Sequence, residues 1–142
     1  MAVVKITGQK AHKARLKRIR SAEMVREVGK AVLVAADLIR RDAQISITAG
    51  SVSGKNHAPS KPGEPPNNDT GNLADDANIR SERTGLTEAE VSSNATYSVA
   101  LEFGTSKMDA RPFMQPAADK NRKKATALVQ EAVKRVARGD SL

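Results

Sequence analysis

The run KAHKARLKRIRSAEMVREVGKAVLVAADLIRR, residues 10–41, decides how the chain is read. Leu16, Ile19, Ala22, Val25, Val28, Val32, Ala35 and Ile39 recur at steps of three or four, so a helix places them on one face. Met24, Ala31, Leu33, Val34 and Leu38 widen the stripe in its second half. The first half is narrower and carries more charge. The spacing predicts one long helix, its second half deeply buried and its first half partly exposed. Ser21 is an alternative N-cap if the helix starts late. An apolar stripe must be covered by another element, so the remainder of the chain is read for what covers this one.

A second helix is expected from about Pro116 to Ala137. Pro116 suits a first turn, where its missing N–H has no partner to lose, and Gly139 provides the stop. Leu128, Ala132 and Val136 form one line, with Val129 and Val133 beside it. Between the two helices the pattern shortens. Gln44–Ala49 (QISITA) alternates and reads as a strand. Residues 72–79 read as a helical turn or a strand. A hairpin is expected from about Asn78 to Ser92, turning near Arg83, Thr84 and Gly85. Residues 93–103 read as a short helix with Tyr97, Ala100, Leu101 and Phe103 on one face, ended by Gly104. Arg111 precedes Pro112 and must be extended.

These elements give an α+β class. A long N-terminal and a C-terminal helix pack on a small, mainly antiparallel sheet. Residues 1–9 are an arm or a short strand, 10–138 a single domain, and 139–142 a tail. Residues 50–71, GSVSGKNHAPSKPGEPPNNDTG, form a long loop, because Pro59, Pro62, Pro65 and Pro66 forbid a regular helix. Loops of this length inside a domain tend to carry function.

The 142 residues include 24 Lys and Arg against 16 Asp and Glu, which allows a polyanionic partner without requiring one. Cysteine is absent, which excludes disulfides and cysteine-based metal sites or nucleophiles. His12 and His57 have no second histidine at ligand spacing, so no metal and no cofactor is expected. One Tyr, two Phe and no Trp leave little to stack on unpaired bases. No apolar run approaches the roughly 18 residues of a membrane span, and none resembles a secretion signal.

Lys10, Lys13, Arg15, Lys17, Arg18 and Arg20, with Arg122, Lys123 and Lys124 on the last helix, are candidates for contact with DNA or with an acidic partner. The bland alternative is a solvated helix face. The stretch 50–56 departs from a phosphate-binding loop where Asn56 replaces the required Ser or Thr, and its glycine spacing is wrong. Asp75 and Asp76 are adjacent and need not converge. Glu102 is expected to pair with Arg111, tying the short helix to the segment after it. Phe103 and Phe113 flank the turn between them and pack together or against the final helix, Phe113 closing a small core. His57 lies in a Pro/Gly-rich loop with no nucleophile elbow nearby, so no catalytic residue is assigned and no enzyme is expected.

The stretch 97–117, YSVALEFGTSKMDARPFMQPA, resembles the signature of the HK97 gp10-like family of tailed-phage neck and tail-completion proteins. Leu101-Glu102-Phe103-Gly104-Thr105 and Ala110-Arg111-Pro112-Phe113-Met114 are its two halves, with Tyr97 and Pro116 at the margins. Ala58-Pro59-Ser60, Pro62-Gly63-Glu64-Pro65-Pro66 and Thr70-Gly71-Asn72-Leu73 are similar to the family upstream. The likeness covers about residues 10–137. It departs at Asp75 and Asp76, where relatives are often basic or hydroxylated.

The resemblance implies a structural virion protein at the head–tail interface. Such a protein assembles in the host cytoplasm into a ring of its own copies, often six, around the DNA channel. Its neighbours would be head-closure or connector proteins on one side and the tail terminator or tail tube on the other. Interface contacts are expected from Pro59, Pro62, Pro65, Pro66, Glu102, Lys107, Met108 and Arg111. Contact with packaged DNA would be non-specific, and no membrane is involved. A tail terminator proper is the alternative within that class. A gene transfer agent or tailocin would keep the structure and change the biology. A small basic DNA-binding or packaging accessory protein is the alternative outside it.

Overall fold

The computed structural model describes residues 3–49 and 54–140. The chain is α+β: the described residues form four α-helices and one two-stranded antiparallel sheet. Residues 3–8 have no regular structure and are exposed, an arm and not a strand.

The expected single long helix is two helices, α1 (Gln9–Ile19) and α2 (Ala22–Thr48). The break is built by Ser21, which is extended at φ −79° and ψ 157°. Its hydroxyl accepts the Met24 N–H at 3.2 Å and donates to the Arg18 carbonyl at 2.6 Å. A serine cap satisfies a donor that a continuing helix would have paired internally, and Glu23 adds a favourable charge in the first turn. As the charge distribution predicts, α1 buries no residue, whereas α2 buries seven.

The segment QISITA is not a strand but the last turns of α2. Ile39, Ala43 and Ile47 continue the apolar line in steps of four, and Ala43 and Ile47 are fully buried while Ile45 is 61% exposed. Ser46 and Thr48 hydroxyls donate to the carbonyls of Ala43 and Gln44, at 2.7 and 2.9 Å, which removes their competition with the helix.

The hairpin forms as β1 (Ile79–Gly85) and β2 (Glu88–Ser93), with Ile79 opposite Ser93 and Glu82 opposite Glu90. Its turn lies at Leu86–Thr87, beyond the expected position. A register shift between Arg83 and Gly85 absorbs a residue there. The Arg83 guanidinium bonds to the Leu86 carbonyl across the tip. The tip rests on Gly29 of α2, where a Cβ would collide with that same carbonyl.

The short helix α3 (Ser98–Phe103) and the long α4 (Met114–Arg138) complete the order. α2 is the middle layer, with the hairpin on one side and α4 along another. α2 and α4 are antiparallel: Asn121 meets Asp42, while Arg18, just before α2, meets Ala137. Asn121 is 5% exposed, and its amide donates to Asp42 at 2.6 Å and to the Ala117 carbonyl at 2.9 Å. The main core lies between the second half of α2 and the start of α4. It contains Ala43, Ile47, Leu73, Ile79, Ala95, Phe113 and Ala117.

Candidate functional site

The stretch 97–117 folds as a joint between α3 and α4. α4 begins at Met114 with Phe113 in the capping position, so no local side chain accepts its first N–H groups. Glu102 supplies the missing acceptor from α3. Its carboxylate accepts the N–H of Phe113 at 2.8 Å, Met114 at 3.0 Å and Gln115 at 2.8 Å. An anion at a helix N-terminus is favoured by the helix dipole as well as by the hydrogen bonds.

The expected pairing of Glu102 with Arg111 is therefore corrected. Glu102 is spent on backbone donors. The Arg111 Nε donates to the Ser60 carbonyl at 3.1 Å, while the Arg111 N–H donates to the Leu101 carbonyl at 2.6 Å. Arg111 thus ties α3 to the loop of residues 54–71.

Gly104 makes the turn possible. Its φ is +75°, and a Cβ there would lie 2.9 Å from the Ala110 N and 3.0 Å from the Met108 carbonyl. Between them, Thr105 and Met108 form an isolated bridge that places Lys107 at an exposed tip and leaves Met108 half-buried. Phe113 is 1% exposed and closes the core, as expected. Phe103 is 78% exposed, so the two phenylalanines part company. Val99 lies one turn before Phe103 on the same face and is 67% exposed.

On the opposite face of α3, Tyr97 and Leu101 line a cleft with His57, Ser60, Asp69 and Arg111. The proline-rich loop forms its other wall and is tied down by several bonds. Gly63 N–H reaches the Ala110 carbonyl at 2.9 Å, Asn68 N–H the Ile47 carbonyl at 3.1 Å, and Asn67 the Ala58 carbonyl at 2.8 Å. Asp69 accepts the Gly54 N–H at 3.0 Å and lies 3.9 Å from His57 Nδ1. Pro59 and Pro62 are exposed and Pro65 is half-buried, but Pro66 is buried and drops out of the expected interface set. Residues 50–53 of the long loop lie outside the described residues, as does the end of the tail at 141–142.

The basic candidates separate. Lys10, Lys13, Arg15, Lys17 and Arg20 are exposed on α1 and its end. Arg18 is turned inward, its Nε donating to the Ala137 carbonyl at 3.0 Å, close to the C-terminus of α4. Arg122 pairs with Asp119 at 3.1 Å, and Lys123 and Lys124 are exposed.

Two polar features escape a sequence reading. One is the Asp42–Asn121 contact, joined by Lys120 at 3.4 Å. The Asn121 hydrogen bond, helped by the charges of Lys120 and Lys124, holds the Asp42 carboxyl below its ordinary 3.8. The other is a groove between α1 and the end of α4, where Lys134 and Arg138 join His12, Arg15 and Arg18. Among the described residues no group of His, Asp and Glu has the arrangement of a metal site, and no helix is long and apolar enough to cross a membrane. No family model, curated protein or solved structure matches this chain.

Proposed function

We propose that this chain is a structural subunit of the head–tail interface of a tailed phage, several copies forming a ring around the DNA channel between connector and tail tube. One observation carries the reading: α3 is fixed from within yet keeps two large apolar side chains turned outward. Glu102 and the Leu101 carbonyl hold α3 to the start of α4, while Val99 and Phe103 stay exposed. Covering such side chains is favourable by about 25 cal/mol per Å² of apolar surface removed from water. A helix already held in place loses little freedom when it docks, so more of that gain is kept.

A closed ring needs two different complementary surfaces on each copy. α2 offers a second one. Val34 and Ile45 lie three turns apart on one exposed line and are 51% and 61% exposed. The polar residues of the joint serve architecture: Glu102 is committed to a helix end and Arg111 to a loop carbonyl. That division of labour fits a building block better than a catalyst.

Cryo-electron microscopy of the intact particle tests this reading. A ring of this chain between connector and tail tube is expected, and absence from the mature particle would overturn it. Light scattering on the purified chain gives a second check. Phe103→Glu should reduce the assembled mass to that of a monomer with unchanged circular dichroism.

A further inference from the structure

The positive charge of this protein is gathered at one end. Seven of its 24 Lys and Arg residues precede Glu23, the first acidic residue in the chain, so the rest is close to balanced. The ion pairs follow the same division. Among the described residues, each joins partners between Arg26 and Arg122. None involves a basic residue of α1, nor Lys134 or Arg138 at the end of α4. The nearest acids in sequence, Glu23, Glu131 and Asp140, form none either.

The antiparallel fold concentrates these unneutralised charges. It returns the end of α4 to α1, so that a groove is walled by His12, Arg15 and Arg18 on one side and Lys134 and Arg138 on the other, with no carboxylate in its lining. α1 is poorly supported by itself. It buries no residue, has no side-chain cap and no acid in its first turn. Lys10, Lys13 and Lys17 stand at repelling intervals of three and four. A polyanion lying along it would remove that repulsion.

We infer that the α1–α4 groove binds the phosphate backbone of duplex DNA without reading its sequence. No Phe, Tyr or Trp lines the groove, so the broad platform used to stack unpaired bases is missing. The apolar side of α1 consists of Leu16 and Ile19, with no aromatic anchor for a bilayer surface. Closely spaced cations alone suffice for phosphate contact and make binding steeply salt-dependent. The inference deepens the ring reading: it turns the α1–α4 end of each subunit toward the channel.

Fluorescence anisotropy with a 30-base-pair duplex over a salt series tests it, on the full chain. Tightening as salt falls is expected. Arg15→Gln with Lys134→Gln should weaken binding roughly tenfold and flatten the logarithmic salt slope by about 1.8, the value for two lost phosphate contacts. Lys55→Gln with Lys61→Gln, at exposed positions of the loop, should leave both unchanged. Circular dichroism establishes that each variant is folded. Equal binding by wild type and the groove variant overturns the inference. So does a preference for an unpaired oligonucleotide or for phosphatidylserine vesicles, and so does failure to bind duplex at low salt, which would assign the groove to an acidic protein. Light scattering of the same samples separates the two readings. Groove-dependent DNA binding by a chain that never assembles would defeat the ring alone. A ring whose DNA binding ignores the groove variant would defeat this inference alone.

Discussion

The Glu102 carboxylate accepts the Phe113 N–H at 2.8 Å, reaching from the end of one helix to the beginning of another. Two more N–H groups, of Met114 and Gln115, converge on the same side chain. Glu102→Ala should lower stability by about 2–3 kcal/mol in urea denaturation, the range for hydrogen bonds to a charged group. Arg111→Ala should cost about 1 kcal/mol through its contact with the Ser60 carbonyl. Because the two side chains are not ion partners, the double variant should lose nearly the sum. A coupling of several kcal/mol would restore the direct pair.

Ile45 and Ile47 separate the helical from the extended form of residues 44–48. In a strand the two would share a face and cost alike. In α2 they diverge, one 61% exposed and the other fully buried. Ile47→Ala should therefore destabilise by about 2–5 kcal/mol through the cavity it leaves. Ile45→Ser should stay within about 0.5 kcal/mol. Equal effects would contradict the helix.

Acid should loosen both the α2–α4 contact at Asp42 and the contacts of Asp37 with Arg40, Arg41 and Ser81. Asp42 is lowered by its hydrogen bond from Asn121, then by the charges of Lys120 and Lys124. Asp37 is lowered by its hydrogen bond from Arg40, by the charges of Arg40 and Arg41, and by Ser81. Both ordinary values are 3.8. A carboxyl depressed in the folded state contributes stability that is fully present above its unfolded value and is lost as pH falls through its folded one. The melting temperature should hold down to about pH 4 and then drop. Asp42→Asn should lower it at neutral pH and flatten part of that acid slope. An unchanged slope would remove Asp42 from the account.

The class of fold was legible because its longest elements have clean periods. The stripe of α2 and the line Leu128–Ala132–Val136 of α4 announce themselves, and the hairpin is marked by Gly85 beside its turn. Five residues at 44–48 satisfy both periods, and only continuity from Ile39 through Ala43 decides between them. The Glu102 contact was hidden for another reason. A search for opposite charges finds Arg111, while the true partners are backbone N–H groups that no residue identity advertises. Their one trace is Phe113, a residue that cannot cap, standing where a cap is required. Nothing in the sequence singles out Lys134 and Arg138, because only the antiparallel return of α4 brings them beside α1.

Alanine is the commonest buried residue of both long helices: Ala35, Ala36 and Ala43 in α2, Ala117, Ala132 and Ala137 in α4. Alanine gives up no rotamer freedom when it is enclosed, so these positions order themselves without that cost. They also drift in one direction only. Every replacement except glycine adds volume, and at Ala43 and Ala132, both fully enclosed, added volume must displace the atoms around it. The enclosed alanines of both helices therefore leave little room for growth, and a mutating lineage can crowd these positions but scarcely thin them.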